Sequence, residues 1–221
     1  MNKHLSVFIL SLAFVISFTF LINKFNPNKL ELTKYNNGEI FDFIKEQEQE
    51  EVVETTALSV PLIKEQITMN YSVGEVIKPK YLVIHETANT RAGADANAHY
   101  RYWSTNPNAN ASTHFVVDSN QIYQMLELNQ MGWHVGDNKG YSDITNRNSI
   151  GMEIAVNSDG DFSKARQNAI ELTIKIMKEL NMTIDQLKRH HDASGKYCPT
   201  NMLNNDALWT DFVAQVKAAL K

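Results

Sequence analysis

The spacing of the apolar residues changes abruptly in the second half of the chain. In residues 149–156 (SIGMEIAV) apolar positions alternate with small or polar ones, the two-residue period of a strand with one buried face. From residue 162 to 180 the apolar residues instead recur every three or four positions, which places them on one face of a helix. A chain with both periods in succession is expected to fold as a sheet covered by helices.

Other segments extend this α/β pattern. Residues 80–87 (KYLVIHET) read as a buried strand, residues 94–103 as a helix, and residues 208–220 as an amphipathic helix. Residues 113–126 contain two strand-like halves around a polar turn, which predicts a hairpin. Because a hairpin is antiparallel, the pattern favours a central mixed β-sheet flanked by α-helices, in a single catalytic domain, over a purely parallel sheet.

The N-terminus differs from the rest of the chain. Residues 5–22 form an uncharged apolar run of about 18 residues, the lower limit for a helix that spans a bilayer. Residues 1–24 are therefore predicted to be a signal peptide or a signal-anchor helix, and the lack of an A-x-A type cleavage site favours the uncleaved anchor. Residues 25–57 are polar and rich in glutamate, as expected of a linker. The domain at 58–221 is therefore expected outside the cytoplasm, membrane-anchored or secreted.

The charge of the chain limits the classes of partner. Its formal net charge is -4, and no basic stripe is visible. Strong binding to nucleic acid through phosphate contacts is therefore not expected.

The single cysteine lies in an unusual neighbourhood, residues 189–199 (RHHDASGKYCP). A lone cysteine in an exported domain cannot form an internal disulfide, but metal ligation would explain its presence. Zinc prefers imidazole and thiolate, and a catalytic zinc site has three protein ligands and one position open to water. His190 or His191, together with Cys198, would supply two ligands. His85, at the end of a buried strand, is the best candidate for the third.

Five blocks of the sequence resemble one family. The blocks are VIHETAN (83–89), STHFVVD (112–118), GWHVGDN (132–138), IGMEIAVN (150–157) and RHHDASGKYCP (189–199). Their order and spacing are similar to the successive signatures of the zinc N-acetylmuramoyl-L-alanine amidases, the family of phage lysozyme-type amidases and peptidoglycan recognition proteins. The resemblance extends from about residue 58 to the C-terminus.

The resemblance implies a role for each of five side chains. His85, His190 and Cys198 would bind the Zn²⁺ cofactor, since the family's second ligand lies eight positions before its cysteine. Lys196 would stabilise the oxyanion. Glu153 would assist the attacking water, although some relatives use a tyrosine for that step.

The implied activity is hydrolysis of the amide between the lactyl group of N-acetylmuramic acid and the first L-alanine of the stem peptide. Peptidoglycan would be the partner, and the enzyme is expected to act as a monomer. The alternative is a non-catalytic peptidoglycan-binding module on the same fold. Such recognition proteins typically lack the zinc cysteine, so Cys198 favours an enzyme. A zinc peptidase with an H-E-x-x-H helix is disfavoured because His85 has no second histidine four residues later.

Several further polar residues are assigned provisional roles. Asn89 and His134 are predicted substrate contacts, with a scaffold role as the alternative for His134. His114 is expected to be structural. His191 or Asp192 is expected to orient a metal ligand.

Overall fold

Six strands form the central sheet in a computed structural model that describes residues 57–221. The eight strands of the described residues are β1 (Leu62–Lys64), β2 (Ser72–Val76), β3 (Tyr81–Glu86), β4 (Phe115–Val117), β5 (Ile122–Gln124), β6 (Gln130–Met131), β7 (Ser149–Ile154) and β8 (Leu187–Arg189). The order across the central sheet is β1, β5, β4, β7, β3, β8. A separate antiparallel pair consists of β2 and β6.

The longer helices agree with those expected from the sequence. The three predicted helices are confirmed, with ends that differ from the prediction by at most about two residues, the usual uncertainty of a helix terminus. Two short helices that the periodicity did not reveal follow β8. The helices are α1 (Ala96–Thr105), α2 (Phe162–Glu179), α3 (His190–Ser194), α4 (Thr200–Asn204) and α5 (Asp206–Ala219).

The pairing of the strands confirms a mixed sheet. β4 and β5 form the predicted antiparallel hairpin. The other pairs of the sheet are parallel: β1 with β5, β4 with β7, β7 with β3, and β3 with β8. Three consecutive parallel pairings therefore place β4, β7, β3 and β8 side by side with their carboxyl ends at one edge.

The two faces of the sheet have different coverings. One face packs against α2 and α5 in the largest apolar cluster, which includes Ile84, Met152 and Phe212. On the other face, α1 packs over Val116, and a third cluster includes Val83 together with residues of the 132–146 segment and α3. This second face carries His85 and Glu153, because alternate residues of a strand point to opposite faces.

The predicted signal anchor and the linker up to residue 56 lie outside the described residues. Within residues 57–221, none of the helices combines the length and apolar character needed to cross a bilayer.

A buried carboxylate connects the hairpin turn to α1. Asp118 Oδ1 accepts hydrogen bonds from the backbone N–H groups of Asn120 at 2.7 Å and Gln121 at 2.9 Å. Its Oδ2 accepts one from the N–H of Ala96, in the first turn of α1, at 2.9 Å. Hydrogen bonds to a charged acceptor are stronger than neutral ones, and buried N–H groups are costly to leave unpaired.

We expect Asp118→Ala to lower the free energy of unfolding by about 3 kcal/mol, because it leaves these N–H groups without an acceptor. Asp161→Ala is the matched control, since Asp161 caps α2 through a single exposed bond to the N–H of Lys164. Asp161→Ala should lower the free energy of unfolding by about 1 kcal/mol. Urea denaturation monitored by circular dichroism measures both changes, and equal losses would contradict the linking role of Asp118.

Candidate active site

The end of β3 meets the segment that follows β8 at one edge of the sheet. In the parallel register His85 lies opposite Glu153 of β7, and Ile84 lies opposite Arg189, the last residue of β8. Since parallel strands present their carboxyl ends together, side chains at the ends of β3, β7 and β8 share this edge. His190, the first residue of α3, therefore begins next to His85.

Three buried side chains converge at this edge. One ligand atom from each of His85, His190 and Cys198 lies within 4.8 Å of the other two. The residues are 1%, 3% and 8% exposed, respectively. The Nδ1 atoms of His85 and His190 are 2.9 Å apart. His191, which the spacing alone left open as a ligand, has a side chain that is 39% exposed and does not belong to this group.

A tight turn after α3 brings the cysteine back to the histidines. Gly195 caps α3 directly after Ser194, with a φ of 77° that is strained for a residue with a Cβ. The carbonyl of Cys198 then accepts a hydrogen bond from the N–H of His191 at 2.8 Å. The N–H of Glu86, at the end of β3, contacts Cys198 Sγ at 3.4 Å. The sulfur is therefore held between the end of β3 and the start of α3.

The donor set suits a borderline-soft metal ion such as zinc. Burial lowers the pKa of both His85 and His190, so both imidazoles are in the neutral form that binds metals. Two nitrogens bound to one tetrahedral zinc are separated by about 3.3 Å when each Zn–N bond is about 2.0–2.1 Å. Burial and the charge of Glu153 raise the pKa of Cys198 to about 12, so metal binding would displace the thiol proton.

Asp137 orients His190 and was given no role by the sequence, although it lies in the GWHVGDN block. Its Oδ1 accepts a hydrogen bond from His190 Nε2 at 2.8 Å, which leaves Nδ1 of His190 unprotonated and facing His85. A carboxylate next to a ligating histidine is the recognisable signal for this contact. Asp192, which was expected to orient a ligand, instead accepts hydrogen bonds from Arg189.

Glu153 presents an unpaired carboxylate oxygen beside the three converging side chains. Its Oε2 is buried and has no hydrogen-bond partner among residues 57–221. Burial raises the pKa of Glu153 to about 8; the positive charge of Lys196 opposes this shift and the charge of Glu86 adds to it. A carboxyl group that titrates near neutral pH is suited to accepting and returning a proton.

Lys196 brings a positive charge to the exposed side of the site. Its Nζ lies 3.8 Å from Asp137 Oδ2, and the two side chains are 57% and 41% exposed. An exposed ion pair at this distance adds little to stability. The lysine charge is nevertheless close enough to lower the pKa of His85 and of Cys198.

The two predicted substrate contacts have different environments. Asn89 lies in the loop after β3, partly buried, where its Oδ1 accepts a 3.3 Å hydrogen bond from the N–H of Arg91. His134 is 8% exposed, and its Nδ1 lies 3.1 Å from His85 Nε2. The substrate role of both residues stays a prediction.

Comparison with known proteins identifies the family. The family model described as N-acetylmuramoyl-L-alanine amidase matches residues 75–201, more than half of the chain. The chain belongs to this family. The match spans the end of β3, the Glu153 strand and the three converging side chains.

Relatives from Bacillus subtilis (strain 168) support the same assignment. The amidase CwlH is 42% identical over 146 residues, which are 66% of this chain and 56% of CwlH. The amidase XlyA is 45% identical over 147 residues, 66% of this chain and 47% of XlyA. This amidase-family chain thus spans about half the length of these two curated relatives.

Solved structures show that the same domain exists separately. The catalytic domain of XlyA matches with a TM-score of 0.63 and 43% identity, over 70% of this chain and 98% of that domain. The structure of PlyL matches with a TM-score of 0.61 and 31% identity, over 71% of this chain and 96% of that chain. The amidase fold of residues 57–221 therefore corresponds to a domain that is seen on its own elsewhere.

Buried histidines make the stability of this amidase domain depend on pH. His114 is fully buried; its Nδ1 accepts from the N–H of Gly151 at 3.1 Å and its Nε2 donates to the carbonyl of Gln130 at 2.9 Å. Its structural role is thereby confirmed. Burial lowers the pKa of His114 to about 4 from its ordinary value of 6.5, so the unfolded chain binds more protons between these two pH values.

We expect the contribution of neutral His114 to the free energy of unfolding to be complete above about pH 6.5 and to be lost as the pH falls toward about 4. At pH 5 the loss for His114 alone is about 2 kcal/mol relative to pH 7.5. Between pH 7.5 and pH 5, the free energy of unfolding of His114→Gln should therefore fall by about 2 kcal/mol less than that of the wild type. Urea denaturation at each pH, with chelator present, measures both changes. Parallel curves for the two proteins would contradict the neutral state of His114.

Proposed function

We propose that the chain is a zinc-dependent N-acetylmuramoyl-L-alanine amidase that hydrolyses the amide between N-acetylmuramic acid and L-alanine in peptidoglycan. The observation that carries the proposal is the meeting of His85, His190 and Cys198 within 4.8 Å, next to a Glu153 carboxylate with a pKa raised by burial to about 8. The names of the relatives, all N-acetylmuramoyl-L-alanine amidases among those compared, support the bond that is cut.

His85, His190 and Cys198 would hold the zinc ion, whose Lewis acidity, when bound, acidifies water and polarises an amide carbonyl. Asp137 would keep His190 in the orientation that this requires, through the 2.8 Å bond to Nε2. The burial of all three ligands would exclude bulk water from the inner side of the site. We propose that the substrate amide enters from the side where Lys196 is exposed.

Glu153 would transfer the proton. Its free Oε2 would accept the hydrogen of the attacking water and then deliver it to the leaving nitrogen of the L-alanine. The same carboxyl group would thus act as general base and then as general acid, which requires a pKa not far from the working pH.

Lys196 would stabilise the negative charge that develops on the carbonyl oxygen. Its ammonium group lies on the turn between α3 and Cys198, on the exposed side of the site. Its Nζ lies 3.8 Å from Asp137 Oδ2, and its side chain is 57% exposed. Asn89, in the loop after β3, is proposed to contact the substrate.

We further propose that the enzyme acts outside the cytoplasm, where peptidoglycan lies. The apolar run at 5–22 supports export through a signal anchor or signal peptide at 1–24, and the polar segment at 25–57 would be a linker to the amidase domain at 58–221. A monomer would suffice, because one copy of the chain supplies every residue proposed for the reaction.

Digestion of purified sacculi tests the bond that is cut. Mass spectrometry of the soluble products should show free stem peptides with an L-alanine amino terminus and glycan strands without new reducing ends. Cys198→Ser should abolish this release while leaving sedimentation with sacculi unchanged. New reducing ends would indicate a glycosidase, and wall binding without any product from the zinc-loaded protein would indicate the binding-module alternative.

Two further variants separate the roles of the charged residues. Glu153→Gln should lower kcat by about 10²–10⁴-fold through loss of proton transfer. Lys196→Met should lower kcat by about 10²-fold, corresponding to about 3 kcal/mol of transition-state stabilisation. Both should keep the zinc content of the wild type, measured by atomic absorption. Lys164→Met is the control, because this exposed lysine lies on α2, across the sheet, and wild-type kcat is expected.

A further inference from the structure

His134 is enclosed directly behind His85 and has protein partners on both ring nitrogens. Nδ1 of His134 lies 3.1 Å from Nε2 of His85. Nε2 of His134 lies 3.3 Å from both the carbonyl oxygen and Oγ of Ser149, the first residue of β7. The ring of His134 thus connects the backbone of β7 to the far side of a proposed metal ligand.

Ser149 determines which nitrogen of His134 carries the hydrogen. Oγ of Ser149 donates its own hydrogen to the carbonyl of Thr145 at 2.6 Å. Both Ser149 oxygens that face His134 are therefore acceptors, and Nε2 of His134 must be the donor. In a neutral imidazole whose hydrogen is on Nε2, Nδ1 bears a lone pair and can accept a hydrogen bond from Nε2 of His85.

The hydrogen bond between His134 and His85 fixes the tautomer of His85. An unprotonated Nδ1 on His134 accepts a hydrogen bond, so Nε2 of His85 carries the hydrogen and Nδ1 of His85 bears a lone pair. The Asp137 carboxylate leaves Nδ1 of His190 in the same state. The lone pairs of His85 and His190 thus face each other across 2.9 Å, an arrangement that a cation between them would stabilise.

We propose that His134 is a positioning residue that, held by Ser149, keeps His85 in the tautomer that binds the metal ion through Nδ1. This proposal rests on the proposed function in that zinc is the ion expected at the site. It assigns to the chain two orienting contacts, a carboxylate for His190 and a neutral histidine for His85. Outer contacts of this kind fix ring orientation and raise metal affinity.

The position of the His134 ring is fixed by Gly151. A Cβ at Gly151 would lie 2.6 Å from Cγ of His134 and 2.7 Å from Oγ1 of Thr113, closer than nonbonded atoms approach. The ring therefore packs directly on the backbone of β7. Gly151→Ala would push the ring from this place without changing any nitrogen of the site.

Zinc affinity of the full-length chain, measured by competition with a chromophoric chelator, tests the proposal. His134→Phe keeps the ring and removes both nitrogens. We expect it to weaken zinc binding by about 10–100-fold. His134→Asn places an amide oxygen near the position of Nδ1, and we expect it to recover most of the lost affinity. His99→Phe is the matched control, since His99 is also 8% exposed but lies on α1.

The outcomes are distinct. Weak binding by His134→Phe with recovery in His134→Asn supports the proposal. Wild-type affinity of His134→Phe, or an equal loss in the Phe and Asn variants, overturns it, because a role of the ring in packing alone predicts no rescue by an acceptor. The readout contains no peptidoglycan, so zinc binding without hydrolysis would refute the proposed function and leave this proposal intact.

Nitrogen NMR of the unaltered chain provides a test that does not depend on the folding of a variant. Long-range ¹H–¹⁵N spectra of zinc-loaded protein should show His134 protonated at Nε2 and unprotonated at Nδ1. Gly151→Ala, which moves the ring, should then weaken zinc binding as His134→Phe does. A hydrogen on Nδ1 of His134 in the wild type would overturn the proposal.

Discussion

The parallel pairing of β3 with both β7 and β8 is the constraint on which the rest of the site depends. It places His85 opposite Glu153 and ends β8 one residue before His190. Two histidines 105 positions apart in sequence thereby face each other at 2.9 Å. A slip of one residue in either register would turn His85 or Glu153 toward the apolar cluster under α2 and α5.

Hydrogen bonds from neighbouring side chains then determine which ring nitrogen of each histidine is free to bind a metal ion. Asp137 and His134 are acceptors placed behind the two histidines, and both leave the inner Nδ1 atoms free. Most polar atoms at this edge are paired, as buried polar groups generally are. The free Oε2 of Glu153 is an exception among residues 57–221. An unpaired buried carboxylate oxygen lowers the stability of the fold. This oxygen lies beside the proposed metal ligands, where a reacting water would need a hydrogen-bond acceptor.

The sequence predicted the longer elements but not all of the contacts. Periodicity located β7, α2 and α5, composition located β3 and α1, and the hairpin followed from its polar turn. The short elements, such as β1, β8 and α3, contain too few residues for a period to appear, so their pairing depends on tertiary contacts. Resemblance to the family selected His190 over His191 before the fold was known. Asp137 and Ser149 were missed, since an orienting contact depends on geometry that spacing does not contain.

Strand β7 contributes alternate residues to the apolar core and to the proposed active site. On one face of β7, Ile150, Met152 and Ile154 are fully buried in the core under α2. The alternate positions face the site: Ser149 accepts from His134, Gly151 leaves room for its ring, and Glu153 offers the free oxygen. Because the side-chain period is two, the core side fixes the register that these three positions require. The apolar packing of β7 is therefore also what aligns the proposed acid–base group with the metal ligands.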